Sequence, residues 1–283
     1  MRHIVALPHS HPFLFPYLPY SPLGMALQVL SDLHLENPSA YDLFEITPKA
    51  PYLALLGDIG VVKDPGFSHF IAFQLSKFEI VFLLLGNHEP YHSSWMTAKA
   101  QITQFSDSQK TAGKLVFLDQ TRFDISPDLS ILGCTLFSHV DTTHEERVSF
   151  GLNDFYLIDG WTVAGHNAAH QADLHWLNSQ VAQITQSEPH RKIVVLTHHS
   201  PITRDERAVD PRHVGSPLSS GFATDLSKEI CWTHPQVRLW AFGHTHYNVR
   251  FVERETGKQV VSNQRGYYFA QAEGFDPEMV VDL

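Results

Sequence analysis

Five short apolar runs in this chain each end directly before side chains that can bind a metal ion. The runs lie at residues 27–30, 52–56, 80–85, 193–196 and 238–242. Each contains four to six residues, several of them β-branched or aromatic, which is the pattern of a buried β-strand. Because consecutive residues are apolar, both faces of each strand should be covered, as in a parallel sheet between other layers.

Helical patterns separate these strands. Helices are predicted over residues 67–78, 92–109 and 162–186, and the last has an apolar stripe that consists of Ala168, Ala172, Leu174, Leu177, Val181 and Ile184. Residues 129–137 have the pattern of another strand, and residues 248–261 that of a hairpin turning at 255–257. Strands that alternate with helices, followed by further strands, predict an α/β protein in which a second sheet packs on the first.

The composition limits the class of protein. A hydrophobic share of 43% and a charged share of 18% are those of a globular protein. A net charge of -10 argues against a general nucleic-acid binder, which needs a basic surface to bind phosphates. We expect one catalytic domain at residues 25–283, preceded by an N-terminal extension at residues 1–24 that is rich in proline and histidine.

Cysteine usage and hydropathy bear on location. Cys134 and Cys231 are the two cysteines of the chain, and they lack the CxxC spacing of a thiolate metal site. This usage fits a reducing compartment, so a cytoplasmic location is expected. The chain contains no run of about 18 apolar residues, and no membrane span is therefore predicted.

The polar residues that follow the five strands form a mixed set of ligands. They are Asp32, His34, Asp58, Asn87, His88, His198, His199, His244 and His246. Ligand sites of α/β sheets form at the carboxyl ends of strands, where loops from different strands meet. Carboxylate, amide and imidazole groups suit Mn, Fe, Zn or Co, and one carboxylate can bridge two ions about 3.5–4 Å apart. The pattern therefore predicts a site for two transition-metal ions.

Each motif has a simpler explanation when it stands alone. Gly57-Asp58 at a strand end is also typical of a turn, and Asp-x-His spacing is common. The segment Gly243-His244-Thr245-His246 is more specific, because two imidazoles at alternate positions after an apolar strand rarely serve the fold alone. The five motifs together, each at the end of a strand, favour metal binding.

The ordered motifs D-x-H, GD, GNH[DE], H and GHxH resemble the signature of the calcineurin-like metallophosphoesterase superfamily, across residues 28–247. The resemblance implies a four-layer αββα sandwich of two mixed sheets and a dinuclear metal centre. It assigns the first ion to Asp32, His34, Asp58 and His246. It assigns the second ion to Asp58, Asn87, His198 and His244, so that Asp58 is shared.

Two assignments stay open at this stage. The family often has its ligand histidine before x-Pro, which would select His199, whereas the position directly after the strand favours His198. His88 is implied to be a general acid that serves the leaving group. In the protein-phosphatase branch a carboxylate three residues after the GD aspartate orients this histidine, but Val61 occupies that position here. This departure argues against the protein serine/threonine phosphatases.

The resemblance implies that a metal-bound hydroxide hydrolyses a small phosphate ester, which could be a monoester or a diester. Residues 205–221 have the composition of a long loop, and Arg204 and Arg212 at this loop, with His199, are expected to contact the anionic substrate. Residues 152–155 could form a rim. Alternatives are a nuclease, which the acidic balance disfavours, a cyclic-nucleotide phosphodiesterase, and a non-catalytic scaffold, which the intact ligand set disfavours.

Overall fold

A computed structural model describes residues 25–108, 114–203 and 209–283. The strands are β1 (Ala26–Leu30), β2 (Tyr52–Leu56), β3 (Ile80–Leu84), β4 (Lys114–Phe117), β5 (Thr121–Ser126), β6 (Leu129–Cys134), β7 (Lys192–Thr197), β8 (Val237–Phe242), β9 (Val249–Val252), β10 (Gln259–Ser262), β11 (Gly266–Tyr267), β12 (Ala270–Gln271) and β13 (Val280–Asp282). The helices are α1 (Pro65–Leu75), α2 (Trp95–Ser108), α3 (Glu145–Gly151), α4 (Asp154–Leu157), α5 (Val163–Ser187) and α6 (Ile230–Thr233). The expected extension at residues 1–24 lies outside the described residues.

The first sheet has the strand order β13-β1-β2-β3-β4. Strands β1 to β4 run parallel, and β13, close to the carboxyl terminus, pairs antiparallel with β1 through Val281 and Leu27. Because β1, β2 and β3 are parallel neighbours, their carboxyl ends lie at the same edge of the sheet. The residues that follow these three strands are therefore brought together.

The second sheet has the strand order β5-β6-β7-β8-β10-β9. Its four inner strands are parallel, and the edge strands β5 and β9 are antiparallel to their neighbours. Strands β9 and β10 form the predicted hairpin, with Gly257 in the turn at φ +73°. The carboxyl ends of β7 and β8 carry the remaining predicted ligands.

Alternate residues of each strand face different layers, as the period of two in a strand requires. Residues such as Leu27, Ala54 and Val194 form an apolar core between the two sheets. The other faces pack against helices, the first sheet against α1 and α2 and the second against α5 and α6. The predicted αββα sandwich of two mixed sheets is confirmed.

The buried face of α5 differs from the predicted apolar stripe. Leu177, Val181 and Ile184 are buried, but Ala168 and Ala172 are exposed. The amino-terminal half of the helix instead buries three polar side chains, His166, His170 and Asp173.

These three side chains are buried because they form hydrogen bonds with the irregular segment after β6. Imidazole Nε2 of His166 lies 3.1 Å from the N–H of Ser138, imidazole Nδ1 of His170 donates to the carbonyl of Leu136, and Asp173 accepts from the N–H of Leu136.

Across the three described ranges, no helix is both long enough and apolar enough to cross a membrane.

Candidate metal centre

Hydrogen bonds connect the loops that follow the strands, both within the first sheet and between the two sheets. The N–H of Asp32 donates to the carbonyl of Gly57 at 3.0 Å, and the N–H of His34 donates to that of Asp58 at 2.9 Å. Between the sheets, the N–H of His244 donates to the carboxylate of Asp32 at 3.0 Å. The Asp32 carboxylate is therefore oriented by the loop that carries two of the predicted imidazole ligands.

Several predicted ligands have an unusual backbone conformation. Five of them have φ values between +46° and +70°, in the left-handed region: Asp32, His34, Asp58, His244 and His246. Residues other than glycine rarely occupy this region, and they occupy it mainly where the surrounding structure enforces it at functional sites. The conformation turns the chain sharply after each strand, so that side chains from several strand ends point into one space.

Two glycines allow the loops after β2 and β3 to approach closely. Gly57 has φ +84°, and a Cβ atom there would lie 2.5 Å from the backbone nitrogen of Gly86 and 2.6 Å from Nδ1 of His198. A Cβ atom on Gly86 would collide with the carboxylate of Asp58. Any larger residue at either position would separate Asp58 from its neighbours in the cluster.

Glu89 fastens these same loops together. It is buried, and its carboxylate accepts hydrogen bonds from the N–H groups of Asp58, Ile59 and Gly86 at 2.7 to 3.0 Å. Burial raises the pKa of Glu89 to about 8, although the three backbone donors oppose the shift. The acidic residue of the Gly-Asn-His-Glu motif therefore holds together the two loops that carry Asp58 and Asn87.

The first group of predicted ligands consists of Asp32, His34 and His246, whose ligand atoms lie within 4.8 Å of one another. Nε2 of His34 is 3.0 Å from Nε2 of His246, which is in turn 3.3 Å from the Asp32 carboxylate. Asp32 and His34 are buried, whereas the side chain of His246 is 24% exposed. This half of the centre opens towards solvent.

The second group consists of Asp58, His198 and His244, again within 4.8 Å, with Asn87 beside them. Nε2 of His198 lies 3.1 Å from the amide oxygen of Asn87 and 3.5 Å from the carboxylate of Asp58. Nδ1 of His198 donates to the carbonyl of Leu56 at 2.8 Å, so Nε2 has a free lone pair. All four side chains are buried.

Asp58 lies between the two groups. One of its carboxylate oxygens is 3.5 Å from Nε2 of His198, and the other is 3.9 Å from Nε2 of His34. Burial raises the pKa of Asp58 well above its usual range, and the nearby carboxylates of Glu89 and Asp32 add to the shift. A cation on either side would relieve this concentration of buried acidic groups.

The donor set fits metal ions. Burial lowers the pKa of His34 to about 4, against the effect of its hydrogen bond to Glu36, and burial also lowers the pKa of His198 and His244. These imidazoles are therefore neutral at pH 7, the form that binds metals. Nε2 of His244 is buried and has no hydrogen-bond partner among the described residues, which is costly unless an ion or water occupies the space before it.

His88 has a different setting. Its backbone N–H donates to the Asp58 carboxylate, while its ring stacks on Tyr91 at 4.3 Å. Imidazole Nδ1 lies 2.8 Å from the carboxylate of Glu36, and Nε2 is 3.9 Å from Asp58. Glu36 therefore gives His88 a carboxylate partner, which the apolar side chain of Val61 cannot provide. The spacing Asp32-x-His34-x-Glu36 was its only sequence signal.

The model of the calcineurin-like phosphoesterase family matches residues 25–248, most of the chain and all the clustered residues. The chain belongs to this family. Membership indicates a phosphoester hydrolase that depends on divalent metals, in agreement with the clustered histidines and aspartates.

One curated protein and one solved structure are similar to this phosphoesterase. It is 26% identical over 281 residues to an uncharacterized protein of Acanthamoeba polyphaga mimivirus, covering 91% of this chain and 96% of that protein. It is also similar to the crystal structure of a phosphopantetheinyl hydrolase from Mycobacterium tuberculosis. That likeness has a TM-score of 0.62 at 14% sequence identity and covers 87% of this chain and 90% of the other. At this identity the second likeness shows the fold alone.

Asp154 supports the buried half of the phosphoesterase centre. This buried carboxylate accepts hydrogen bonds from the side-chain nitrogen of Asn87 and from the hydroxyl of Tyr91, both at 2.8 Å. Because the Asn87 nitrogen is engaged there, the Asn87 oxygen faces His198. Asp154 lies within the predicted rim at residues 152–155, but it serves the centre rather than its edge.

Tyr267 covers the open half. Its ring stacks on His34 at 4.2 Å, and its hydroxyl is 3.4 Å from Nε2 of His88. The N–H of the preceding Gly266 donates to the carbonyl of Asp32, which anchors this segment beside the ligands. Tyr267 was not expected to be a site residue, because it lies beyond residues 28–247, the stretch that carries the family motifs.

The expected substrate contacts are placed differently. His199 is fully buried behind the centre, where its ring packs on His244 at 4.2 Å and on Phe137. This burial disfavours direct contact with a substrate, and the role of His199 in substrate binding stays a prediction. Arg212 is exposed, and its guanidinium is paired with Asp210 at 2.6 Å. Arg204 lies outside the described residues.

Proposed function

We propose that this phosphoesterase hydrolyses a small phosphate monoester or diester with two metal ions. The convergence of the ligand groups around Asp58 is the observation that carries the proposal. The ligands of the first ion would be Asp32, His34, Asp58 and His246. The ligands of the second ion would be Asp58, Asn87, His198 and His244.

When bound, two such ions neutralise charge on the phosphoryl oxygens and lower the pKa of a water molecule. The residues of the chain do the remaining work. His88 would hold a proton at Nε2, which faces the space beside Asp58, and deliver it to the leaving group. The hydroxyl of Tyr267 lies next to that nitrogen and would donate a hydrogen bond to the phosphoryl group.

A small substrate fits the charge of the molecule. With a net charge of -10, the protein has no general attraction for a polyanion, which disfavours a nuclease. A metal centre in a cleft can still attract a single phosphate, because bound cations reverse the charge locally. A reducing, cytoplasmic compartment fits the two cysteines, which are free thiols and buried.

Metal analysis and hydrolysis assays test this function together. The purified full chain should contain about two transition-metal ions and hydrolyse an aryl phosphate monoester, a bis-aryl diester or both. Asp58→Ala should lose both ions and the activity, since Asp58 faces both halves. The control Asp42→Ala changes an exposed aspartate and should leave both unchanged.

The relative turnover of monoester and diester would show which class the site prefers. A fully metal-loaded chain that hydrolyses neither ester would refute the proposed function. So would an Asp58→Ala variant that keeps both ions.

A further inference from the structure

Glu36 lies between an imidazole of the metal cluster and the imidazole expected to deliver a proton. One oxygen of its carboxylate is 3.3 Å from Nδ1 of His34 and 2.8 Å from Nδ1 of His88. The two imidazole rings themselves are in edge contact, with centroids 4.4 Å apart. The Glu36 side chain is 13% exposed, so this contact is largely shielded from water.

The chemistry of this contact determines where the hydrogens are. A carboxylate can only accept hydrogen bonds, so Nδ1 of His34 and Nδ1 of His88 must both carry the hydrogen. Nε2 of His34 then has a lone pair, and it faces His246 and Asp58. Nε2 of His88 is the nitrogen left for proton exchange, and it faces Tyr267 and Asp58.

We propose that Glu36 is a positioning residue that holds His34 in its metal-binding tautomer and His88 in its proton-donating orientation at the same time. The inference rests on the proposed function for its second half, since only a hydrolase uses the proton on His88. Its first half concerns metal binding alone and can be measured without any substrate.

The surroundings of His88 give Glu36 this role. Stacking on Tyr91 restricts the plane of the His88 ring, but a rotation of 180° about the Cβ–Cγ bond keeps this plane and remains possible. The hydrogen bond from Nδ1 to Glu36 selects one of the two flipped positions. Val61, at the position of the orienting acid in the protein-phosphatase branch, has an apolar side chain that cannot accept a hydrogen bond.

Metal retention tests the contact with His34. The full chain is loaded with Mn²⁺ and dialysed against increasing concentrations of a chelator, and the Mn²⁺ per chain is measured. Glu36→Ala should lower the affinity for one of two ions by about 10–100-fold, the usual cost of removing the partner of a ligating histidine. Glu36→Gln should lose less, because its amide oxygen still accepts. Glu45→Gln, at an exposed glutamate nearby, should match the unaltered chain.

A double-mutant cycle tests the contact with His88. At saturating Mn²⁺, Glu36→Ala should slow esters with poor leaving groups more than esters with good ones. In a His88→Ala background, Glu36→Ala should cause no further loss of kcat, because Glu36 acts through His88. The loss of Mn²⁺ affinity should persist in that background, because His34 is still present.

Two results would overturn the proposal. One is unchanged Mn²⁺ retention in Glu36→Ala and Glu36→Gln. The other is a loss of kcat that is equal for all leaving groups and adds fully to that of His88→Ala, which indicates a merely structural role. Thermal unfolding checks that the variants fold, and Glu36→Gln, which preserves volume, serves if Glu36→Ala does not. If the unaltered chain hydrolyses no ester, the proposed function fails, while the retention data still decide whether Glu36 supports His34.

Discussion

The two halves of the metal centre differ in their access to water and in the groups behind their imidazoles. Asp58, Asn87, His198 and His244 form a half that is buried throughout. In the other half the side chain of His246 is 24% exposed, and the half-exposed Tyr267 lies at the surface. In each half the ligand atoms of three residues lie within 4.8 Å of one another, so both halves are compact, and they differ in their surroundings.

The groups behind the imidazoles also differ. His198 donates from Nδ1 to a backbone carbonyl, that of Leu56, whereas His34 donates from Nδ1 to the carboxylate of Glu36. A charged hydrogen-bond acceptor makes an imidazole a stronger metal ligand. When a second group bonds the same acceptor, the positions of the two groups are linked. His88 shares this acceptor here. If two ions bind as proposed, the buried half would mainly anchor one ion, and the open half would connect the other ion to His88.

The neighbouring histidines of the Gly-His-Thr-His segment provide the strongest test of this difference. His244→Ala and His246→Ala should each reduce the metal content from about two ions to about one, with a loss of kcat beyond the 10–100-fold typical of an outer partner. Imidazole added to the solution should restore metal and activity to His246→Ala, because the vacated space opens to solvent. It should fail with His244→Ala, because that side chain is only 7% exposed.

Metal analysis and initial rates, with and without imidazole, measure the effect. Equal rescue of both variants would show that the two halves have the same access to solvent, which would contradict the difference described here.

A smaller effect is expected at Asp154, the carboxylate that supports the buried half. Asp154→Asn replaces the charged acceptor for the Asn87 nitrogen and the Tyr91 hydroxyl with a weaker, neutral one. The affinity for one ion should fall by about tenfold, the low end of the range for outer partners. Chelator dialysis with Mn²⁺ measures it, and the exposed Asp159→Asn is the matched control.

Glu36 and Asp154 both support predicted ligands, but their loss should affect esters with good and poor leaving groups differently. In Asp154→Asn the side-chain amide can still accept from the Tyr91 hydroxyl, which keeps the ring that stacks on His88 in place. This variant should therefore slow good and poor leaving groups alike once Mn²⁺ is saturating. A marked selectivity for poor leaving groups in Asp154→Asn would contradict the division between the halves.

These comparisons also show what could be predicted from the sequence. The sandwich could be predicted because buried parallel strands are short continuous apolar runs, and the ligands because they directly follow those runs. The partners of the ligands could not. Asp154 is 67 residues from Asn87, and their hydrogen bond depends on how α4 packs after folding.

The buried polar face of α5 has the same explanation. Helical spacing identifies which residues share a face, but the sequence indicates the buried face only through the apolar residues on it. His166, His170 and Asp173 are buried because the loop after β6 needs hydrogen-bond partners, and that need is visible only in the fold.

The smallest effect is expected for Tyr267→Phe, because this substitution removes a single oxygen atom. Tyr267→Phe keeps the ring that stacks on His34 and removes the hydroxyl beside His88. Metal content should stay the same, while kcat/KM should fall by about 2–10-fold, as expected for one hydrogen bond of about 0.5–1.5 kcal/mol at a half-exposed side chain. Tyr268→Phe, at the similarly exposed neighbour, should leave the rate unchanged. If Tyr267→Phe lost metal instead of rate, the hydroxyl would belong to the metal-binding part of the open half, and the proposed hydrogen bond to the phosphoryl group would be wrong.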